Sequence, residues 1–268
     1  MTQPITTPLM NVMVGAARKA AKALLRDFGE VENLQTSRKG PADFVSKADL
    51  KAERILREEL QKARPHYCMT LEEGGEIEGP DKSHRWYVDP LDGTTNFLHG
   101  IPHWAVSIGL EREGQLVAGV VFQPLTNELF IAERGQGAWL NDKRMRVSAR
   151  KDLKDTLLAT GIPFKGRPGH AQFSQDLASV MPEVAGVRRY GSAALDLAWV
   201  AAGRFDGFWE RGLSSWDIAA GIVLVREAGG LVSDLAGDQN MLGTGQILAA
   251  NGAIHGAVRA LVGGPAKP

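Results

Sequence analysis

Beyond Leu157, short apolar runs alternate with helical stretches, and no other feature of the 268-residue chain restricts its fold as much. Segments 156–161, 187–190 and 205–210 read as strands, and each is followed by a helical stretch, at 172–181, 193–202 and 216–228. Two more strand-like runs, 231–234 and 246–250, precede a last helix from about Ile254. Parallel strands need a crossover, and a helix supplies one, so this alternation predicts an α/β half with at least partly parallel pairing.

The first half follows a different rhythm. Thr7-Pro8 is a helix cap with proline in the first turn, and Leu9, Met13, Ala16, Ala20 and Leu24 then recur at helical spacing to Phe28. A second helix is predicted from Ser46 to Ala63, with Ala48, Ala52, Ile55, Leu56 and Leu60 on one face and Pro65 as its stop. Strand-like runs at 105–112 and 115–123 join at Glu113-Gly114, a hairpin signal, and 128–133 and 138–140 add more antiparallel strand. The expected division is an α+β half, residues 1–147, and an α/β half, residues 148–268, with a frayed tail after Gly263.

Bulk properties exclude some functions. Lys plus Arg equals Asp plus Glu at 31 each, so no overall basic field exists to hold a nucleic-acid backbone. The single cysteine, Cys68, cannot form an intramolecular disulfide, which fits a reducing compartment, and it reads as a buried structural residue. Residues 1–8 lack the basic and apolar regions of a signal peptide, and no apolar run reaches membrane-spanning length, so a cytoplasmic location is expected.

The chemistry concentrates in Asp89-Pro-Leu-Asp-Gly-Thr-Thr-Asn-Phe97, which follows the short apolar run Trp86-Tyr87-Val88. Asp89 is expected at the end of that strand. Pro90 biases it toward an extended conformation, and Gly93 permits backbone geometry that other residues avoid. Such a turn can aim two carboxylates and a backbone carbonyl at one point, an all-oxygen set suited to a hard cation, Mg2+ above all. Taken alone, Asp-Pro and Asp-Gly are also ordinary turn formers. More carboxylates lie elsewhere. Glu72-Glu73 follows the strand-like Met69-Thr70-Leu71, Asp217 opens a helix within Ser214–Gly221, and Asp43 and Asp49 flank the start of the second helix. Capping is the plain alternative for the last three. Trp86, Trp104, Trp199 and Trp216 sit in apolar runs and read as core; His84, His99 and His103 read as surface or hydrogen-bonded residues rather than nucleophiles.

Two of these segments, Trp86–Phe97 and Ser215-Trp-Asp-Ile-Ala-Ala-Gly221, resemble signatures of the inositol monophosphatase family of Mg2+-dependent, Li+-sensitive phosphatases. Asp43–Asp49, Gly191-Ser-Ala-Ala-Leu-Asp196 and Arg226-Glu-Ala-Gly-Gly230 support the resemblance, which runs from about Ala17 to Val262. It implies the layered α-β-α-β-α sandwich of the sugar phosphatases. It implies two or three Mg2+ ions: Glu72, Asp89 and the Leu91 carbonyl for the first, Asp89, Asp92 and Asp217 for the second, and a weaker third near the first. Catalytic roles fall by the same resemblance on Thr94, Asp49 and Glu72, with Thr94 and Asp49 deprotonating the attacking water. Gly93 and Thr94 amides would meet phosphate, and Gly191, Ser192, Ala193, Glu210 and Asp217 would bind substrate. The implied activity is hydrolysis of inositol monophosphate and related small polyol phosphates by a homodimer. Histidinol-phosphate or fructose-1,6-bisphosphate hydrolysis is the alternative activity. A regulatory role through RNA polymerase or antitermination factors, as in some bacterial members, is the alternative function. One departure stands out: the family usually has Gly-Glu-Glu-Ser where this chain has Leu71-Glu72-Glu73-Gly74.

Overall fold

The structure, a computed structural model, describes residues 7–29, 36–38, 44–164 and 166–263; Asp43 and the tail after Gly263 lie outside them. Helix α1 (Pro8–Phe28) begins as expected, with the Thr7 hydroxyl accepting from the Met10 amide at 3.1 Å. A small antiparallel ribbon, β1 (Thr36–Arg38) with β2 (Phe44–Ser46), leads into α2 (Lys47–Ala63). The buried faces of α1 and α2 are rich in alanine, which lets the two helices lie side by side.

Next come β3 (Tyr67–Leu71), β4 (Gly75–Ile77), β5 (Asp81–Asp92), α3 (Thr94–Leu98), β6 (Ala105–Arg112), β7 (Gln115–Gln123), β8 (Glu128–Glu133), β9 (Gly137–Leu140) and β10 (Lys143–Arg144). Their strands form one sheet in the order β10-β9-β8-β7-β6-β5-β3-β4, antiparallel throughout except for the parallel pair β3–β5. The rest of the chain forms β11 (Leu157–Thr160), α4 (His170–Val180), β12 (Gly186–Arg188), α5 (Ala193–Ala201), β13 (Gly207–Arg211), α6 (Ser215–Glu227), β14 (Leu231–Ser233), α7 (Met241–Thr244), β15 (Gln246–Ala250) and α8 (His255–Val262). The second sheet runs β12-β11-β13-β15-β14, with β11 parallel to both neighbours and β15 antiparallel to both of its own.

These elements stack in five layers: α1 and α2, the large sheet, α5 and α6, the small sheet, then α4 and α8. Position in the stack explains composition. An outer helix needs one apolar face, whereas a helix between two sheets must be apolar nearly all round. Accordingly every residue from Ile218 to Val225 of α6 and from Ala193 to Ala198 of α5 is buried. Close packing of α6 on the large sheet also requires missing side chains. A Cβ on Gly109 would lie 2.7 Å from the Ala219 Cβ, and one on Gly119 would lie 2.5 Å from the Ala220 carbonyl oxygen.

Three expectations need correction. The strand at Trp86–Val88 does not end at Asp89; β5 continues to Asp92, and its register with β6 slips between Asp89 and Asp92. Pro90 has no amide to donate to the ladder, so a bulge forms there instead of a strand end. Trp86 and Trp104 are core residues, but Trp199 and Trp216 are only half-buried. His103 is buried rather than superficial, stacked edge-on against Trp199. Cys68 is buried, as expected.

Candidate active site

The β5 bulge and the start of α3 deliver the central residues. Asp89 is buried, and its Oδ1 accepts from the Leu91 amide at 2.9 Å, which closes the Asp-Pro-Leu turn. Gly93 adopts φ 98°, the left-handed region that favours glycine, and a Cβ there would approach the His103 carbonyl oxygen at 3.0 Å. This kink turns the chain from β5 into α3 and sets Thr94 beside α2. The Thr94 hydroxyl has two acceptors in reach, Asp49 Oδ2 at 3.2 Å and the Leu91 carbonyl at 3.0 Å.

The middle layer supplies the opposite wall. Asp92 Oδ2 accepts from the Ser192 hydroxyl at 2.6 Å and from the Ala194 amide at 2.7 Å, so its carboxylate seats on the first turn of α5. Asp217, in the first turn of α6, accepts from the Ser214 amide at 2.7 Å. Helix N-termini carry partial positive charge, and the ends of both central helices therefore face this carboxylate cluster. Glu72 follows β3, and its amide donates to the Val88 carbonyl at 3.2 Å, which ties it to β5 next to Asp89.

Burial and mutual repulsion govern the protonation of these groups. Burial raises Asp89 well above the usual carboxylate range, and Glu72, Asp92, Asp217 and Asp49 raise it further. Glu72 is raised well above its ordinary value by burial and by the Asp49 and Asp217 charges. Burial lifts Asp92 to about 6 against the opposing hydrogen bonds from Ser192 and the α5 amides. Asp217 is lifted to about 7 by burial and by Asp92. Among the described residues, none of these four carboxylates has a Lys or Arg ion-pair partner. Four packed acids without a basic partner are costly unless a cation joins them, and an all-oxygen donor set suits a hard divalent ion. Carboxylate oxygens of Asp49, Glu72 and Glu73 also lie within 4.8 Å of one another, a second arrangement able to hold a cation.

A cavity of about 460 Å³ opens above the cluster. Gly93, Thr94, Gly191, Ser192, Ala193 and Glu210 all line it, together with Glu72, Asp92 and Asp217. Glu210 is the penultimate residue of β13, and burial together with Asp217 and Asp92 pushes it up to about 8. Gly161 has no side chain because the Glu210 carboxyl fills that space: a Cβ would lie 1.9 Å from its Cδ. Each site residue expected from the sequence thus reaches one pocket or the layer beneath it. Three basic pocket residues were missed, Arg167, Arg189 and Arg211. Arg167 lies in a glycine- and proline-rich segment, rests over the Phe164 ring and offsets the charge of Asp217. Its signal in the sequence was an arginine inside a turn-forming stretch, which by itself reads as a loop.

A five-layered α/β stack with an acidic pocket where the central helices meet the large sheet is the architecture of the sugar-phosphatase class of phosphoric monoester hydrolases. Within that class the chain belongs to the inositol monophosphatase family, whose family model matches residues 6–263. The inositol-1-monophosphatase of Rhizobium meliloti (strain 1021) is 61% identical over 96% of this chain and 97% of its own. The Nus factor SuhB of Escherichia coli (strain K12) is 48% identical over 91% of both chains. Among solved structures, extragenic suppressor protein suhB from Bartonella henselae superposes with a TM-score of 0.93 at 56% identity, covering 96% of this chain and 98% of that one.

Proposed function

We propose that this phosphatase hydrolyses inositol monophosphate and related small polyol phosphates with Mg2+, in the cytoplasm and as a homodimer. The observation that carries the reading is the convergence of Glu72, Asp89, Asp92 and Asp217, from three separate stretches of chain, on one pocket beside the Thr94–Asp49 hydrogen bond. Glu72, Asp89 and the Leu91 carbonyl would hold one Mg2+; Asp89, Asp92 and Asp217 would hold a second; Glu72 and Glu73 would border a weaker third. Magnesium, when bound, supplies positive charge against the phosphate dianion and acidifies water.

The chain's own groups do the rest. Thr94 Oγ1 accepts a proton from the attacking water as its own proton passes to Asp49 Oδ2, a relay that needs no covalent phospho-enzyme. Amides of Gly93 and Thr94 meet the phosphate oxygens. Glu210, together with Gly191, Ser192 and Ala193, binds substrate hydroxyls, and a carboxyl is suited to accept from a polyol. Inhibition by Li+ follows from the same reading.

A panel assay with Mg2+ tests the substrate. Inositol monophosphate should release phosphate faster than histidinol phosphate or fructose 1,6-bisphosphate; the reverse order overturns the substrate reading. A second reading rests on the 48% identity to proteins named Nus factor SuhB: association with the transcription machinery, including RNA polymerase. An Asp89→Asn variant without hydrolysis that fully restores a deletion strain would favour it.

A further inference from the structure

Glu53 has a place in the geometry that catalysis does not use. It lies four residues after Asp49 on α2, so both carboxylates point from one face of the helix toward β3 and β5. Glu53 is buried, at 6% exposure, and its Oε2 accepts from the Glu73 amide at 2.7 Å. The preceding amide, of Glu72, is taken by the Val88 carbonyl. Residues 72–74, the turn between β3 and β4, are therefore anchored on one side to β5 and on the other to α2.

Gly74 completes the arrangement. A Cβ there would lie 2.9 Å from Glu53 Oε1 and 3.1 Å from Leu71 Cδ1. The Glu53 carboxyl thus lies against Gly74, a position where the family usually has serine.

We propose that Glu53 is a positioning residue for the divalent-cation site: its hydrogen bond to the Glu73 amide orients the 72–74 turn so that the Glu72 carboxylate faces Asp89. The proposal rests on the reading of Glu72, Asp89, Asp92 and Asp217 as cation ligands, but it has its own consequence. Losing the acceptor at position 53 should weaken cation binding without removing any ligand.

Titration with Mn2+, followed by the electron paramagnetic resonance signal of the free ion, tests it without any turnover measurement. Glu53→Ala should weaken binding by about 10-fold to 100-fold, the usual effect of losing a residue that orients a ligand. Glu53→Gln keeps a side-chain oxygen for the Glu73 amide and should stay close to the native protein. Gly74→Ala, which pushes on the Glu53 carboxyl, should fall between them. Asp217→Asn serves as the control for the ligand assignment. If the native protein bound no Mn2+, or Asp217→Asn bound it as well as the native protein, the ligand assignment itself would fail. If instead Asp217→Asn loses the ion while Glu53→Ala titrates like the native protein, positioning by Glu53 is wrong. Equal loss in the Gln and Ala variants also overturns it, because charge rather than the hydrogen bond would then matter. Should Glu53→Ala not fold, as judged by circular dichroism, unchanged Mn2+ affinity in Gly74→Ala overturns the proposal.

Discussion

At the scale of single residues, one hydroxyl joins three parts of the chain. Thr94 Oγ1 stands between Asp49 on α2 and the Leu91 carbonyl in the β5 bulge, and the left-handed turn at Gly93 puts it there. The methyl group of threonine contributes packing but no chemistry. Thr94→Ser should therefore keep kcat close to the native value, whereas Thr94→Ala should lower it by about 100-fold or more, the usual worth of a positioned proton acceptor. Steady-state phosphate release checks both variants. An alanine variant as active as the native protein would remove Thr94 from the proton path. The residues around Thr94 were legible because a proline, a glycine and two aspartates in nine positions make an unusual turn. Arg167 was not, since Asp217, whose charge it offsets, is 50 positions away and comes near only in the folded chain.

At the scale of elements, α6 has two duties. Its first turn presents Asp217 to the site, and its body fills the space between two sheets. The second duty sets the first, because α6 reaches its depth only where Gly109 and Gly119 leave room on β6 and β7. Gly119→Val forces side-chain atoms against the Ala220 backbone. It should destabilise the protein by about 1–3 kcal/mol or more, as overpacking does. A lower midpoint in chemical denaturation is the measurement, and an unchanged midpoint would show that α6 shifts freely. The alternation beyond Leu157 showed where helices lie, and β15 and the cores of α5 and α6 coincide with the expected segments. Short elements such as β4, β10, α3 and α7 escaped because two to five residues carry no measurable period, and tertiary partners rather than propensity determine them.

At the scale of the whole molecule, the cluster opposes the fold that creates it. Asp92 titrates near 6 and Asp217 near 7 in the folded chain, both above the ordinary aspartate value of 3.8. The folded state thus holds protons that the unfolded state has released, and stability contributed by these groups falls as pH rises from about 4 through about 7. Without divalent ions, the melting temperature should decline across that range. Added Mg2+ should raise it more at pH 8, where the carboxylates are ionised, than at pH 5. Equal Mg2+ effects at both pH values would detach cation binding from these acids. A division of the chain near residue 147 remains our proposal. The apolar cluster between the sheets draws Ala105, Val121 and Phe130 from one side of that point and Leu195, Phe208 and Ile222 from the other. One cooperative unfolding transition, coincident by tryptophan fluorescence and far-ultraviolet circular dichroism, is expected. Two separated transitions would show that the halves hold together independently.

The sequence alone determined the order of the longer helices and strands, the turn at Asp89–Thr94, and the identity of the acids available to a cation. Periodicity and turn chemistry are local, and a few neighbouring residues suffice to express them. Only the tertiary structure decided that β5 continues through Asp92 by means of a bulge, that α6 lies deep enough to bring Asp217 beside Asp92, and that Glu53 holds the turn carrying Glu72. Those outcomes depend on contacts between residues far apart in the chain, where the volume left by two glycines or one buried hydrogen bond selects a single arrangement.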